Sequence, residues 1–455
     1  MSTLRGHAVL SKLYQGGCSL CGQVRYASRE EKRQARTEEV IQFKAPGTQP
    51  AERVYVWGHA RTGALGVRTY LRPERRRQHA VTEQPRPARL RFIDENHVEV
   101  KDVACGYGFT LFAVERNRIQ MVLGTGINTD SQLGFHEFPK NTGRVLDYLI
   151  EPVPVAIPGI PEGREKNILQ LACGRAHSVI LTKHGVFSQG NNAYGQCGRP
   201  VVEGEIFNKI SNIQKIEGLP DNVSKVLCGQ DHTLFLTSDG QVFSCGLGAD
   251  GQTGLETYEN VGRPRRLMGD IDGVRITDIA SRADCVLAIS ESGDVFGWGN
   301  SEYNQLSMVT QETQVSVPKY LPIKNCGKIT QIASGGSSCM VLNEKGEVYV
   351  WGFGVLGKGP KVDVLTRPSL LPPPLFGRNE LSPDVRVKQI KSGISHFGAV
   401  TDAGDLYIWG KGKHGSLGIY KTDVQYFPLK VSIPALIHRV ELGVDHTVAL
   451  CTSYT

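Results

Sequence analysis

Four histidines share one recurring position. His177, His232, His396 and His446 each lie three residues after a glycine, namely Gly174, Gly229, Gly393 and Gly443. The equivalent slots elsewhere hold Phe109, Cys285 and Ser338, and the residue before is an aspartate in three units, Asp231, Asp284 and Asp445. Imidazoles converging beside carboxylates could bind a metal or move protons. Zinc, however, needs its ligands about 2 Å from a common point, which histidines spread over separate repeats do not readily reach. A recurring His at a turn more commonly caps local backbone. Both readings stand at this stage.

Other residues with chemical potential are weaker. The eleven cysteines are an odd number spread along 455 residues, so a secreted disulfide framework is not expected. The one CxxC, Cys18 to Cys21, has no second pair to complete a zinc site. Three segments match GxGxxG: Gly246 to Gly251, Gly352 to Gly357 and Gly410 to Gly415. A dinucleotide site needs such a turn to open a helix whose N-terminus meets the pyrophosphate. Here each match follows a strand-like run and leads into another turn. No GxxxxGK[ST] occurs, which argues against a P-loop GTPase. No cofactor, metal or bond-making chemistry is expected, so the chain reads as a binding protein rather than an enzyme.

Charge is the strongest signal outside the repeats. Residues 68–91 hold eight arginines, including Arg72, Arg75, Arg76, Arg77, Arg86, Arg89 and Arg91, against Glu74 and Glu83. The net charge of this segment is +6 in a chain of +7 overall. Pro73, Pro85 and Pro87 are expected to keep it extended, as a basic loop. The guanidinium fork binds phosphate bidentately, so RNA or another polyanion is the expected ligand; a solvated inter-strand loop is the alternative. Residues 1–29 carry Arg5, Lys12, Arg25 and Arg29 and no acid, the pattern of a mitochondrial transit peptide, with cleavage near Arg25 to Ala27. No apolar run is long enough for a transmembrane helix.

The elements that must position these residues come from a repeat. An apolar run ending in Gly recurs seven times, at Gly58, Gly124, Gly190, Gly246, Gly299, Gly352 and Gly410, 53 to 66 residues apart. A second block alternates with it, ending at Gly106, Gly174, Gly229, Arg282, Gly335, Gly393 and Gly443. The runs are short and rich in Val, Ile, Phe and Tyr, and turn pairs such as Asp239-Gly240 and Ala403-Gly404 lie between the blocks, so the units are β. Second block, turn and first block are expected to form a hairpin. Small Ala-Cys/Ser-Gly triplets suit innermost strands crowding on one axis, which makes the recurrent cysteines buried small residues.

The fold expected is therefore all-β, a seven-bladed propeller. The run at 54–58 lacks a preceding partner and the block at 437–451 lacks a following one, so N- and C-terminal strands should pair and close the ring. The domains read as 1–29 transit peptide, 30–52 linker and 53–455 propeller, with the basic loop at 68–91.

The pattern Cys-Gly-x-x-His, then Gly-x-Val-Tyr-x-Trp-Gly, then Gly-x-Leu-Gly resembles the regulator of chromosome condensation (RCC) repeat family over residues 53–451. In the family's nuclear exchange factor, acidic and His residues at this kind of position line the face that engages a small GTPase. The resemblance thus implies Asp231, His232 and His396, with His177, Asp445 and His446, as exchange-face candidates. They would compete for the GTPase's phosphate loop and metal, stabilising its empty form. No counterpart of the family's inserted β-wedge is found, and Arg282 replaces the repeat Gly in the fourth unit. The resemblance further implies a mitochondrial role in ribosome biogenesis and translation, through rRNA and ribosome assembly factors. The alternative it implies is guanine-nucleotide exchange on a mitochondrial dynamin-related GTPase of inner-membrane fusion, with peripheral membrane association.

Overall fold

The computed structural model describes residues 50–73, 79–137, 144–157, 167–208 and 213–453. The expected transit peptide, most of the linker and Arg75, Arg76 and Arg77 lie outside them. Seven four-stranded antiparallel sheets make up the described chain. The first six blades are each one continuous segment; the fourth, for example, runs Ile276–Ser281, Cys285–Ser290, Val295–Asn300, Gln314–Leu321 from axis to rim. The seventh is built from both chain ends. Its inner strands are Leu436–Leu442 and His446–Ser453, and its outer ones are Ala51–His59 and Glu83–Arg89. Ala51 pairs with Ser453 and Gly58 with His446, an eight-residue register that closes the ring as expected. The closing strand begins at Ala51, two residues before the expected boundary.

Two expectations need correction. The second block is the inner strand and pairs with the apolar run that follows it, Ser281 opposite Val286, and it is that run, not the second block, that pairs with the first block, as in Val295 opposite Ile289. The reason is that each unit spends one more strand on the axis than its glycine punctuation announces. The segment 68–91 is also not one loop. It contains a one-turn helix, Arg68–Leu71, then the outer closing strand Glu83–Arg89, and ends at a second short helix, Arg91–Glu95.

Proline explains that outer strand. In the closure blade pairing breaks between Val56 and Gly58 and resumes at Ala88, just after Pro87. The same break precedes Val153, Arg265, Lys319, Ser369 and Leu429 in other blades, directly after Pro152, Pro264, Pro318, Pro368 and Pro428. Proline has no N–H to give a ladder, so it belongs on an edge strand or at a bulge, and here it marks both.

The core lies between blades. Val286, Leu287 and Ala288 of the fourth blade pack with Leu234 of the third and Val341 of the fifth in one buried layer. Trp57, Trp298 and Trp351 are wholly buried, and each indole N–H reaches back to a neighbouring blade's loop carbonyl, Ser416, Gln252 and Gln305 respectively. Tryptophan suits a core where its N–H finds such a partner.

Candidate functional site

Each recurring histidine starts the second strand of its blade, and all four are fully buried. The glycine three residues earlier makes room for the ring. A Cβ at Gly174, Gly229, Gly393 or Gly443 would lie 2.2, 2.0, 2.4 and 2.6 Å from the imidazole Cε1. The turn itself is closed by backbone, as in the Gly229 N–H to the His232 carbonyl at 3.0 Å, so the imidazoles cap no turn. His177 and His446 reach sideways instead, while His232 and His396 are buried with no hydrogen-bond partner on either ring nitrogen. The Thr233 hydroxyl donates to the Gln196 carbonyl at 2.7 Å, so His177 Nε2, 3.0 Å from that hydroxyl, must be the donor to it. By the same logic His446 Nε2 donates to Thr110, whose hydroxyl gives its proton to the Ala64 carbonyl.

Burial drives the pKa of His177, His232 and His396 down to about 3, so these rings are neutral. His446 differs. Burial opposes its charge, but Cys105 and the Asp445 carboxylate at 3.2 Å overcome it and raise the pKa to about 9. Asp445, held also by His59 at 2.9 Å, is pushed far below the carboxylate range despite its own burial.

The aspartates gather at the same mouth of the axis. Asp231 is buried and bound by Arg175 at 2.7 Å. Asp284 accepts from Gln252 Nε2 at 3.1 Å, and burial, with help from Asp250, raises its pKa to about 6. The six exchange candidates therefore stand around one opening but inside its wall. Their side chains are turned into the fold, and the accessible charge beside them is Arg175, 44% exposed.

Arg282 acquires a physical reason. Its unit carries Cys285 where five others carry an aromatic or imidazole ring (the fifth has Ser338), so no ring needs the glycine's space. The guanidinium crosses the axis to the carbonyls of Cys173 and Leu442, blades away.

Below this mouth lies a cavity of about 360 Å³ lined by the inner strands. Its polar ring escapes the sequence reading. Asp102, Gln170, Lys225, Asp278, Gln331, Gln389 and Arg439 occupy one repeat position, three before the Cys/Ser position, each at a break in strand register. Asp102 accepts from the Leu171 N–H at 2.6 Å, Gln170 from Val226 at 2.9 Å and Gln331 from Ile390 at 3.1 Å, each in the next blade. Lys225 pairs with Asp278, and Arg439 with Asp102 at 2.5 Å. A polar residue two positions after an apolar one at the start of each inner strand, as in Ile168 and Gln170 or Ile276 and Asp278, is the signal the sequence carries. These groups staple blades and leave no charge held out toward a ligand. Among the described residues no group of three or more His, Cys, Asp or Glu could hold a metal. The nine described cysteines are all buried. The GxGxxG segments lead into turns, the last through the three-residue 3-10 turn Lys413–Gly415.

The rim is different. Arg72, Arg86 and Arg91 are exposed, while Arg89 is tied to Asp94 at 2.6 Å. The neighbouring loop of the sixth blade brings Lys411, Lys413 and Lys421, also exposed. It is joined to the arginine strand by the Tyr420 N–H to the Pro85 carbonyl at 2.7 Å.

Comparison with known proteins matches this architecture. Residues 122–455 fit the RCC1-like domain, and residues 52–113 fit the regulator of chromosome condensation (RCC1) repeat. The chain is 46% identical over 444 residues to the mouse RCC1-like G exchanging factor-like protein, covering 94% of each chain. It is also 46% identical to the human protein of that name, covering 91% of this chain and 90% of the relative. The crystal structure of human WBSCR16 superposes with a TM-score of 0.82 at 46% identity, covering 89% of this chain and all of that one. Yeast RCC1 (Prp20), at 20% identity and TM-score 0.70, shares the fold. By repeats, blade count and the extent of these matches, the chain belongs to the RCC1 repeat family.

Proposed function

We propose that this protein is a non-catalytic mitochondrial binding protein that supports ribosome biogenesis, holding rRNA and assembly factors for mitochondrial translation. The observation that carries the reading is the set of exposed bases on the rim of the closure blade, Arg72, Arg86 and Arg91, and on the sixth-blade loop that meets this blade at Pro85, Lys411, Lys413 and Lys421, none of which forms an ion pair among the described residues. Such a cluster releases counterions when it neutralises phosphates, so affinity should fall about a thousandfold between roughly 50 and 200 mM salt. The test is anisotropy of labelled mitochondrial rRNA fragments on the full chain. Replacing Arg75, Arg76 and Arg77 by Glu should flatten the salt slope by roughly three, about one per lost phosphate contact. Unchanged binding in that variant refutes the basic-segment argument.

A second reading, guanine-nucleotide exchange on a mitochondrial dynamin-related GTPase with peripheral inner-membrane association, draws on the names of the relatives and on the charged axial mouth. Because Asp231 is buried against Arg175, Asp231→Ala would act through Arg175. Arg175→Ala should then slow labelled-GDP release to the same degree. If no mitochondrial GTPase releases GDP faster in the protein's presence, this reading falls.

A further inference from the structure

We propose that single-stranded RNA is seated along the rim of the sixth blade, its bases stacked on Phe427 at the seam with the fifth blade and on Tyr420 at the seam with the closure blade, and its phosphates on the surrounding lysines. The inference rests on the RNA-binding reading above and adds a seat for bases. Tyr420 is 64% exposed, and its φ of +66° is one that a bulky L-residue rarely adopts. The turn itself belongs to the repeat, since Glu256 at the same place in the third blade has a φ of +59° and gives its N–H to the Ser316 carbonyl at 2.8 Å, so what sets the sixth blade apart is the aromatic ring the turn carries. The Tyr420 N–H is clamped on the Pro85 carbonyl. At the other end of the loop His414, also at positive φ, stacks on His59 at 4.1 Å and binds Glu83 at 2.9 Å. The loop is pinned at both ends while its largest apolar ring is held in water, where it contributes nothing to the core.

The same segment continues into the outer strand Val424–Lys430, where Tyr426 and Phe427 are 40% and 44% exposed. The fifth blade's loop lies against Phe427 so closely that a Cβ at Gly359 would be 2.8 Å from its Cζ, which fixes the ring from one side. Lys361, Lys411, Lys413 and Lys421 are exposed on these loops and form no ion pair among the described residues; Asp363 and Asp423 are the acids there. Rigid aromatic faces interleaved with free lysines match single-stranded nucleic acid, whose bases all offer a π-face. A duplex keeps its bases stacked on one another and does not present them.

The test uses the full chain with a short fluorescein-labelled oligouridylate and an RNA duplex of equal length. Tyr420→Ala and Phe427→Ala should each weaken single-strand binding about tenfold, as expected for one lost stack. Tyr420→Phe should retain it, and duplex binding should hardly change. Lys413→Glu with Lys421→Glu, both on the surface, should weaken both probes. If folded Tyr420→Ala and Phe427→Ala bind the single strand as the parent does, the sixth blade's rim is not the seat, although RNA binding stands. If the parent chain binds neither probe, the underlying reading fails as well.

Discussion

At the axis of the ring, charged side chains have found partners; at the rim, where the closure blade meets the sixth, a group of them forms no ion pair among the described residues. The axial residues recur in register. The histidines with their glycines, the aspartates and the polar ring at the strand breaks return in several blades; His177 and His446 meet a neighbouring blade's hydroxyl, Asp231 and Asp284 a neighbouring blade's side chain, and His232 and His396 are held by packing alone. The rim residues do not recur. Arginine is as dense on Val261–Arg266 of the third blade, so what sets this rim apart is the lysine-bearing loop beside it and Tyr420, the one tyrosine at positive φ among the described residues. Repetition in this fold therefore marks packing, because a wheel imposes the same steric problem seven times. Departure from the repeat marks what the wheel does not need for itself.

The largest test of the axial half concerns closure. Removing the C-terminal strand His446–Ser453 strips both the Ala51–His59 and Leu436–Leu442 strands of their common partner. The two remaining edges have no alternative pairing, and marginal domain stability of about 5–15 kcal/mol cannot absorb an opened ring. Loss of cooperative thermal unfolding, followed by circular dichroism, is the expected result. A truncated chain that still melts cooperatively would detach the closure from the fold.

Closure was legible because an unpaired first-block run at residues 54–58 and an unpaired second block at 437–451 leave one blade half made at each end. Blade count followed from the glycines. The outer strands were not read, since they carry no apolar alternation; Pro152, Pro264, Pro318, Pro368 and Pro428 were their mark, and Pro87 was taken for a loop proline. The histidines were recognised as a set, but spacing alone cannot tell a ring pointing at the axis from one buried between blades. What decides is the missing Cβ of Gly229, a packing fact that depends on the neighbouring sheet. The polar ring was missed because Asp, Gln, Lys and Arg look unrelated until the strand break places them side by side.

Acid should produce the next largest effect. An unfolded histidine binds a proton near pH 6.5, while His177, His232 and His396 in the native protein resist it until about 3. Below pH 6.5 the unfolded state therefore binds more protons, and stability falls as pH falls, by about 1.4 kcal/mol per pH unit for each ring. His446 has the opposite sign. Its folded pKa of about 9 means its contribution is complete below 6.5 and is lost as pH rises toward 9. Denaturant titrations across that span should show the acid limb steeper than the alkaline one. In His446→Gln the alkaline limb should flatten.

A smaller and more local effect separates the ring-bearing units from the others. Gly229→Ala drives a Cβ to 2.0 Å from His232 Cε1, and overpacking of this kind costs about 1–3 kcal/mol. At Gly335, ahead of the small Ser338, the nearest atom is 3.2 Å away, so Gly335→Ala should cost much less. Arg282 supplies the converse. Cys285→His alone should collide with the side chain at 282, and adding Arg282→Gly should recover part of the loss, a coupling that a double-mutant cycle measures. Additive changes would mean that ring and glycine are not a packing pair.

The smallest expected change bears hardest on the contrast between axis and rim. Asp284 is an aspartate of the axial mouth whose carboxylate the fold disfavours: burial and Asp250 raise its pKa to about 6, so near neutral pH the charge is maintained against its surroundings. Asp284→Asn keeps the acceptor for Gln252 and removes that cost. It should stabilise the protein by of order 1 kcal/mol above pH 6, with the gain shrinking as pH falls through 6 and gone near the unfolded value of about 3.9. An axial residue that serves packing alone would have no reason to keep a disfavoured charge. If the amide variant is more stable and binds every partner as the parent does, the charge has no task and the axis is purely structural. If it is more stable but loses a protein partner while keeping RNA, then stability is traded there for recognition, and the mouth joins the rim as a working surface.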